Sequence, residues 1–305
     1  MKKIILAFFA FFVFFVKGQD TLMPIIFLDD IIISEENNGF SVNDFINYVK
    51  NDTTFYMGFK HLRFYTHNYK SELNIFNKKG KNIASIKKFG LYQSNGNQAW
   101  LLNDSIINFG KIYKRNGKYR YYTPEAFDEV FFPKDTIEVS LKISDEKNQD
   151  DSQNMRDAKT VGFSIGTDDV EQSKGGISKK LAIFDIDMQQ YYNYIMGETL
   201  YRNKDCYTFT IKVKEELSSK DKKKALIRKI VSYFDKQNFN VIYREYKFVY
   251  KNWFIDLDMD IIVNMDYFKD KHIPTDIRYK GFWNVIFIKP ERAEFNLWNT
   301  NYIVN

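Results

Sequence analysis

Four groups of residues in this 305-residue chain have types and spacing suited to chemistry. Gly162-Phe163-Ser164-Ile165-Gly166 matches Gly-x-Ser-x-Gly, in which the glycines allow a strained strand-to-helix turn that exposes a nucleophilic serine. His272, the only histidine downstream, would be its base. The surroundings oppose a serine hydrolase: no apolar strand precedes Ser164, and no His-Gly-Gly oxyanion segment lies upstream. Downstream the chain is a succession of alternating strands, whereas that fold needs helices and parallel strands in turn. The match reads as chance, and no catalytic residue is assigned.

Asp256, Asp258 and Asp260 fall at i, i+2 and i+4, so on a strand they share one face and repel one another. A cation would relieve them, but a calcium loop of the EF-hand kind needs Gly where Ile261 stands and Glu where Tyr267 stands. A cross-strand ladder with Arg244, Arg278 or Lys280 as counter-charges is the simpler account, so no metal and no cofactor are expected. Cys206 is the single cysteine, which forbids an internal disulfide; in a strand it reads as a small buried hydrophobe rather than a reactive thiol. Lys220, Lys222, Lys223, Lys224, Arg228 and Lys229 form a basic run that would suit anionic lipid or polysaccharide, but reads first as a solvated loop and strand start. The chain has only three histidines, His61, His67 and His272, which leaves few options for a metal site.

The elements that must position these groups are mostly strands. The twenty-nine Phe and twenty-one Tyr suit half-buried sheet surfaces, where some aromatics line the core and others would line a ligand groove. From residue 63 the apolar period is two, with Asn95-Gly96 and Asn116-Gly117 as hairpin turns. Thr123-Pro124-Glu125 is a helix start, with Thr123 as N-cap, for a helix ending near Phe131. Ile137, Val139, Leu141 and Ile143 then alternate as a strand. Leu181, Phe184, Met188, Tyr192 and Ile195 have helical spacing, with Gly197 as a stop. Alternation returns at 206–213, 239–250, 253–263, 273–280 and 285–297, an antiparallel meander.

The N-terminal part is organised differently. Lys2 and Lys3 precede Ile4–Val16, thirteen residues without a polar side chain, and Lys17-Gly18 closes the segment. At about 1.5 Å per residue such a helix spans roughly 20 Å, short of the roughly 30 Å of a hydrocarbon core. Residues 1–18 therefore read as a cleavable signal peptide, with export to the periplasm or outer envelope and no membrane span after cleavage. Loss of Lys2, Lys3 and Lys17 lowers the formal charge from +6 to +3, too little to argue for nucleic acid. Residues 19–39 read as a strand (25–33) and linker, and Ser41 opens a helix whose buried stripe is Val42, Phe45, Ile46 and Val49. A further helix from Thr54 has Phe55, Phe59 and Leu62 in phase. Residues 40–300 then form one β-rich domain, broken by an insertion at 144–180. Between Asp145 and Glu171 that insertion carries eight acidic residues against three basic ones, a composition that favours mobility.

Several of these stretches resemble known proteins. Leu28–Ile33, Gly39–Ile46, Asp52–Tyr56, Phe59–Arg63, Tyr122–Phe127 and Gly197–Tyr207 look like a group of exported Bacteroidota-type proteins of unknown function, a resemblance that covers most of the chain and implies no catalytic residues. Val241–Tyr246 through Pro274–Gly281 resembles the repeating hairpins of Lol-type lipoprotein-carrier half-barrels. That second resemblance implies a curved sheet able to shelter an acyl chain, with a helix as lid. Together these observations predict an α+β fold: a strongly curved, mostly antiparallel, half-barrel-like sheet with two or three helices packed on one face. The expected role is non-enzymatic binding of an apolar ligand, a lipoprotein or another envelope protein. A hydrolase using Ser164 and a structural envelope scaffold without ligand are the alternatives.

Overall fold

The structure is a computed structural model that describes residues 49, 54–141, 183–251, 255–285 and 289–303. The signal segment, the 25–33 strand, most of the Ser41 helix and the acidic insertion with Ser164 lie outside the described residues. In chain order the elements are α1 (Thr54–Leu62), β1 (Thr66–Phe76), β2 (Asn82–Ser94), β3 (Gln98–Gly110), α2 (Tyr122–Phe131), β4 (Ile137–Glu138), α3 (Ile186–Gln189), β5 (Tyr192–Tyr201), β6 (Lys204–Val213), α4 (Ser219–Lys222), β7 (Ile227–Asp235), β8 (Val241–Lys251), β9 (Ile255–Phe268), β10 (Lys271–Val285) and β11 (Glu291–Ile303). The strands belong to one antiparallel sheet in the order β4-β3-β2-β1-β11-β10-β9-β8-β7-β6-β5. The α+β class with a mostly antiparallel sheet and a few helices is the architecture the sequence predicts.

The chain divides into two compact units, one of Met1–Phe55 with Arg156–Tyr250, the other of Tyr56–Met155 with Lys251–Asn305. The first holds the meander β5-β6-β7-β8. Here the helix expected through Tyr192, Ile195 and Gly197 is corrected: only Ile186–Gln189 is helical, and Tyr192–Tyr201 is a strand paired with β6. The local reason is the turn at its end. Arg202 (φ 49°) and Asn203 (φ 62°) both sit at positive φ, the two-residue hairpin geometry whose twist matches the strands, and it pins Tyr201 opposite Lys204. Tyr192, Tyr194 and Ile195 are aromatic or β-branched and suit a strand better than a helix.

The second unit depends on a long-range pairing. β1 runs beside β2, but its other neighbour is β11, with Thr66 opposite Ile303 and Phe76 opposite Arg292. Pro274 is tolerated within β10 because a register shift between Pro274 and Asp276 relieves the ladder there. The strand expected at 285–297 is two strands: β10 runs on to Val285, and β11 begins at Glu291. Of the strand expected at 137–143, Ile137–Glu138 is strand, 139–141 are not, and 142–143 lie outside the described residues; the Asn116-Gly117 turn closes a single Tyr113–Tyr119 bridge. In α1 the buried residues include Phe55 and Gly58, while Phe59 and Leu62 are only partly covered. A Cβ on Gly58 would stand 3.2 Å from the His272 carbonyl oxygen and collide with the end of Met265, so glycine lets α1 approach the sheet closely.

α2 is clamped at both ends. Its first backbone N–H groups are capped not by Thr123, as predicted, but by Glu291 on β11: Tyr122 N–H donates to Oε1 at 2.8 Å, and Thr123 N–H and Oγ1 donate to Oε2 at 3.0 and 2.8 Å. Trp283 Nε1 donates to the same Thr123 hydroxyl at 3.1 Å. In its middle Phe127 packs on Phe295 and Tyr279 at ring separations of 4.4 and 4.9 Å. Near its end Asp128 accepts from buried Lys88 and from Tyr119, each at 2.5 Å.

β3 is unusual in exposing apolar residues of both faces, Ile106 at 46 % on one and Ile107 and Phe109 each at 57 % on the other. Opposite it, β4 pairs only with Gln98 and Ala99. His67 behaves in the contrary way: it is buried against Tyr92 at 4.9 Å, and burial pushes its pKa down to about 4.

These anchors and buried groups make two outcomes measurable. Glu291→Ala removes the acceptor for three donors and lowers unfolding stability by about 2 kcal/mol, whereas Ile107→Lys on exposed β3 changes it by less than about 0.5 kcal/mol; parallel thermal melts decide. A histidine held neutral costs stability as pH falls from its unfolded value near 6.5 towards about 4, by up to about 3 kcal/mol. Glu291, raised by burial, acts in the opposite sense. The check is therefore wild type against His67→Gln: the variant loses less stability between pH 7 and 4, and equal slopes contradict the assignment.

Candidate functional site

The four-stranded unit carries a buried apolar face with a charge inside it. Alternation on its strands sends one set of side chains to each face. Tyr192 and Tyr194 on β5, Phe209 and Ile211 on β6, Ile230 and Phe234 on β7, and Tyr246 and Phe248 on β8 are all buried. Register aligns them in rows: Tyr194 opposite Ile211, Ile211 opposite Ile230, and Ile230 opposite Tyr246. One row up, Met196, Phe209, Ser232 and Arg244 stand side by side. Arg244 therefore occupies an apolar position of its strand, in phase with Tyr246 and Phe248, and is only 5 % exposed.

Its partners are few. Arg244 Nε donates to the buried Ser232 Oγ at 3.0 Å, and the guanidinium carbon lies 4.4 Å from the centre of the Phe55 ring. Phe55, on α1, is 1 % exposed, so it closes over the guanidinium. Among the described residues Arg244 makes no ion pair. The adjacent carboxylate, Glu245, alternates to the other face, where it takes Lys229 at 3.1 Å and the Tyr243 hydroxyl at 3.2 Å. That other face carries a half-exposed tyrosine cluster, with Tyr233 and Tyr243 stacked at 4.7 Å and Tyr201 against both.

The residues singled out by sequence are dispersed. Ser164 is outside the described residues. His272 is buried on β10 with its ring 5.3 Å from that of Tyr267, and its carbonyl lies 3.3 Å from His61 Nδ1. Asp256, Asp258 and Asp260 do lie on one strand, β9, with Asn284, Phe282 and Lys280 opposite them. Their expected counter-charges are engaged differently: Arg244 sits among aromatics, Arg278 holds Asp276 at 2.9 Å, and Lys280 reaches Glu294 at 2.9 Å. Asp256 takes Lys251 at 2.9 Å. Among the described residues no group of three His, Cys, Asp or Glu could hold a metal ion.

The basic run is largely tied down. Lys224 pairs with Asp221 at 2.7 Å, Lys222 donates to the Glu215 carbonyl at 2.6 Å, Arg228 donates to the Lys222 carbonyl, and Lys229 takes Glu245. Cys206 is fully buried, its thiol donates to the Lys204 carbonyl at 3.2 Å, and burial raises its pKa.

No family model matches the chain, and no curated protein matches it. Among solved structures it is similar to a DUF1329 family protein from Desulfovibrio piger, at 11 % identity and a TM-score of 0.23, over 79 % of this chain and 85 % of that one. It is similar also to an outer membrane lipoprotein-sorting protein domain from Vibrio parahaemolyticus, at 10 % identity and a TM-score of 0.25, over 80 % of this chain and 88 % of that one. A third likeness is to lipovitellin, at 9 % identity and a TM-score of 0.23, over 79 % of this chain and 25 % of that one. The fold stated above rests on the strand pairing itself. No helix among the described residues is long and apolar enough to cross a membrane.

A buried, protonated thiol does not react. Iodoacetamide at pH 8 is expected to leave Cys206 unmodified in the folded protein and to alkylate it in denaturant; rapid native labelling contradicts this placement.

Proposed function

We propose that this chain is an exported, non-enzymatic binding protein whose ligand is an apolar molecule, either a free lipid or the acyl chains of a lipoprotein. The observation that carries the proposal is the aromatic face of β5–β8, on which Ser232 and Arg244 are polar groups set among Tyr192, Tyr194, Phe209, Ile211, Ile230, Phe234, Tyr246 and Phe248. Small-molecule sites are built in this way, from a mainly apolar surface with a few convergent polar groups that orient the ligand. Export is supported by Lys2, Lys3 and the thirteen apolar residues Ile4–Val16.

A structural scaffold is the second reading, and one observation favours it. The aromatic side chains of this face are already buried, with Phe55 over the centre, as in a packed core. The two readings part in native mass spectrometry of protein purified from its own envelope. The binding reading expects a population carrying a bound amphiphile that organic solvent removes; a ligand-free spectrum under gentle ionisation supports the scaffold. The same sample tests hydrolysis. A fluorophosphonate probe is expected to leave the protein unlabelled, and labelling abolished by Ser164→Ala contradicts the non-enzymatic assignment.

A further inference from the structure

Arg244 is a cation without an anion among the described residues. A guanidinium carries five N–H donors, and among the described residues only the Ser232 hydroxyl accepts from it, at Nε. Phe55 covers one side of the group at 4.4 Å, so the stack leaves the outer edge of the guanidinium as the part able to bond. Taking a charge out of water is costly unless it is paired and hydrogen-bonded, and replacing such a charge by an apolar residue of similar length commonly stabilises a protein. One hydroxyl and one ring are weak compensation for a residue 5 % exposed.

We infer that Arg244 is the anion subsite of the aromatic face: it receives the carboxylate or phosphate head of an amphiphile whose chain lies along Tyr246, Phe248 and Ile230. The inference rests on the ligand-binding reading above and deepens it by naming the charge of the ligand. The planar fork of the guanidinium matches two oxygens of a carboxylate or phosphate, which a lysine at the same place would not. Ser232 and Phe55 hold that fork in one orientation, with Nε engaged by the hydroxyl and the Nη groups left for the ligand. The aromatic rows supply apolar area beside the charge, so an acid with a long chain satisfies both, whereas a long-chain alcohol satisfies only the rows. Glu245 does not compete, because alternation places it on the other face with Lys229.

The test is displacement of the neutral fluorescent probe N-phenyl-1-naphthylamine from protein produced from the full chain, by palmitate, hexadecanol and inorganic phosphate. Wild type is expected to prefer palmitate over hexadecanol by about tenfold, since a hydrogen bond to a charged group is worth at least that. In Arg244→Met the preference falls to within about twofold while the melting temperature in the absence of ligand is unchanged or higher. Arg244→Lys, which keeps the charge but loses the fork, falls between the two and serves if the Met variant fails to fold. Palmitate and hexadecanol displacing equally from wild type overturns the anion subsite while leaving ligand binding intact. A preference that persists in both variants also overturns it, as does a less stable Arg244→Met with unchanged preference, the result of a purely structural arginine. Displacement by inorganic phosphate as effective as by palmitate assigns the site to a free anion and overturns the amphiphile. Displacement by none of the three sinks the binding reading itself.

Discussion

Burial of aromatic side chains along antiparallel ladders is what both units depend on. The single cysteine is a buried free thiol, so no disulfide within the chain constrains it, and order must come from packing and backbone pairing. In the four-stranded unit that packing is achieved by rows of Tyr, Phe and Ile matched across four strands. A surface of this kind tolerates a charge poorly, and Arg244 in the middle of it is therefore informative. An arginine on the opposite face, beside Lys229 and Glu245, would need no account. On this face its retention sets a cost against stability, and a negatively charged ligand head is the chemistry that offsets it.

The second unit solves a different problem, that of joining residues far apart in sequence. β1 and β11 are held in register over nearly their whole lengths, and α2 is fastened to the sheet by Glu291 from β11 at one end and Lys88 from β2 at the other. Each anchor centres on a carboxylate, Glu291 with three donors and Asp128 of α2 with Lys88 and Tyr119, which fixes orientation as well as position. The aromatic contacts of Phe127 with Tyr279 and Phe295 lie between the anchors. A helix held in this manner covers part of the sheet without a covalent tie. The Glu291 carboxyl is itself raised by burial, which the three donors only partly oppose.

Much of this architecture is legible in local patterning. Alternation locates β1–β3, β6 and β8–β10, and Asn95-Gly96 marks the β2–β3 turn, where Gly96 has φ 86°. β5 is easily misread because Phe184, Met188, Tyr192 and Ile195 happen to recur at helical spacing. The better signal is Arg202-Asn203, a turn pair that presupposes a strand on either side. The Glu291 cap and the β1–β11 pairing are illegible for a physical reason: both join positions with no local relation, and no periodicity encodes them. The burial of Arg244 does leave a sequence signal. Ile242, Tyr246 and Phe248 make its phase of the strand apolar, which marks a buried cation rather than a counter-charge for Asp256–Asp260.

The central claim, that the aromatic face of β5–β8 binds an amphiphile by its chain and its charge, is tested most directly by a crystal structure of the protein with a fatty acid brominated at the chain terminus. The account predicts the carboxylate within hydrogen-bond distance of the Arg244 Nη groups and anomalous bromine density beside the aromatic rows. Bromine density elsewhere, with Arg244 still bonded only to Ser232, would contradict it.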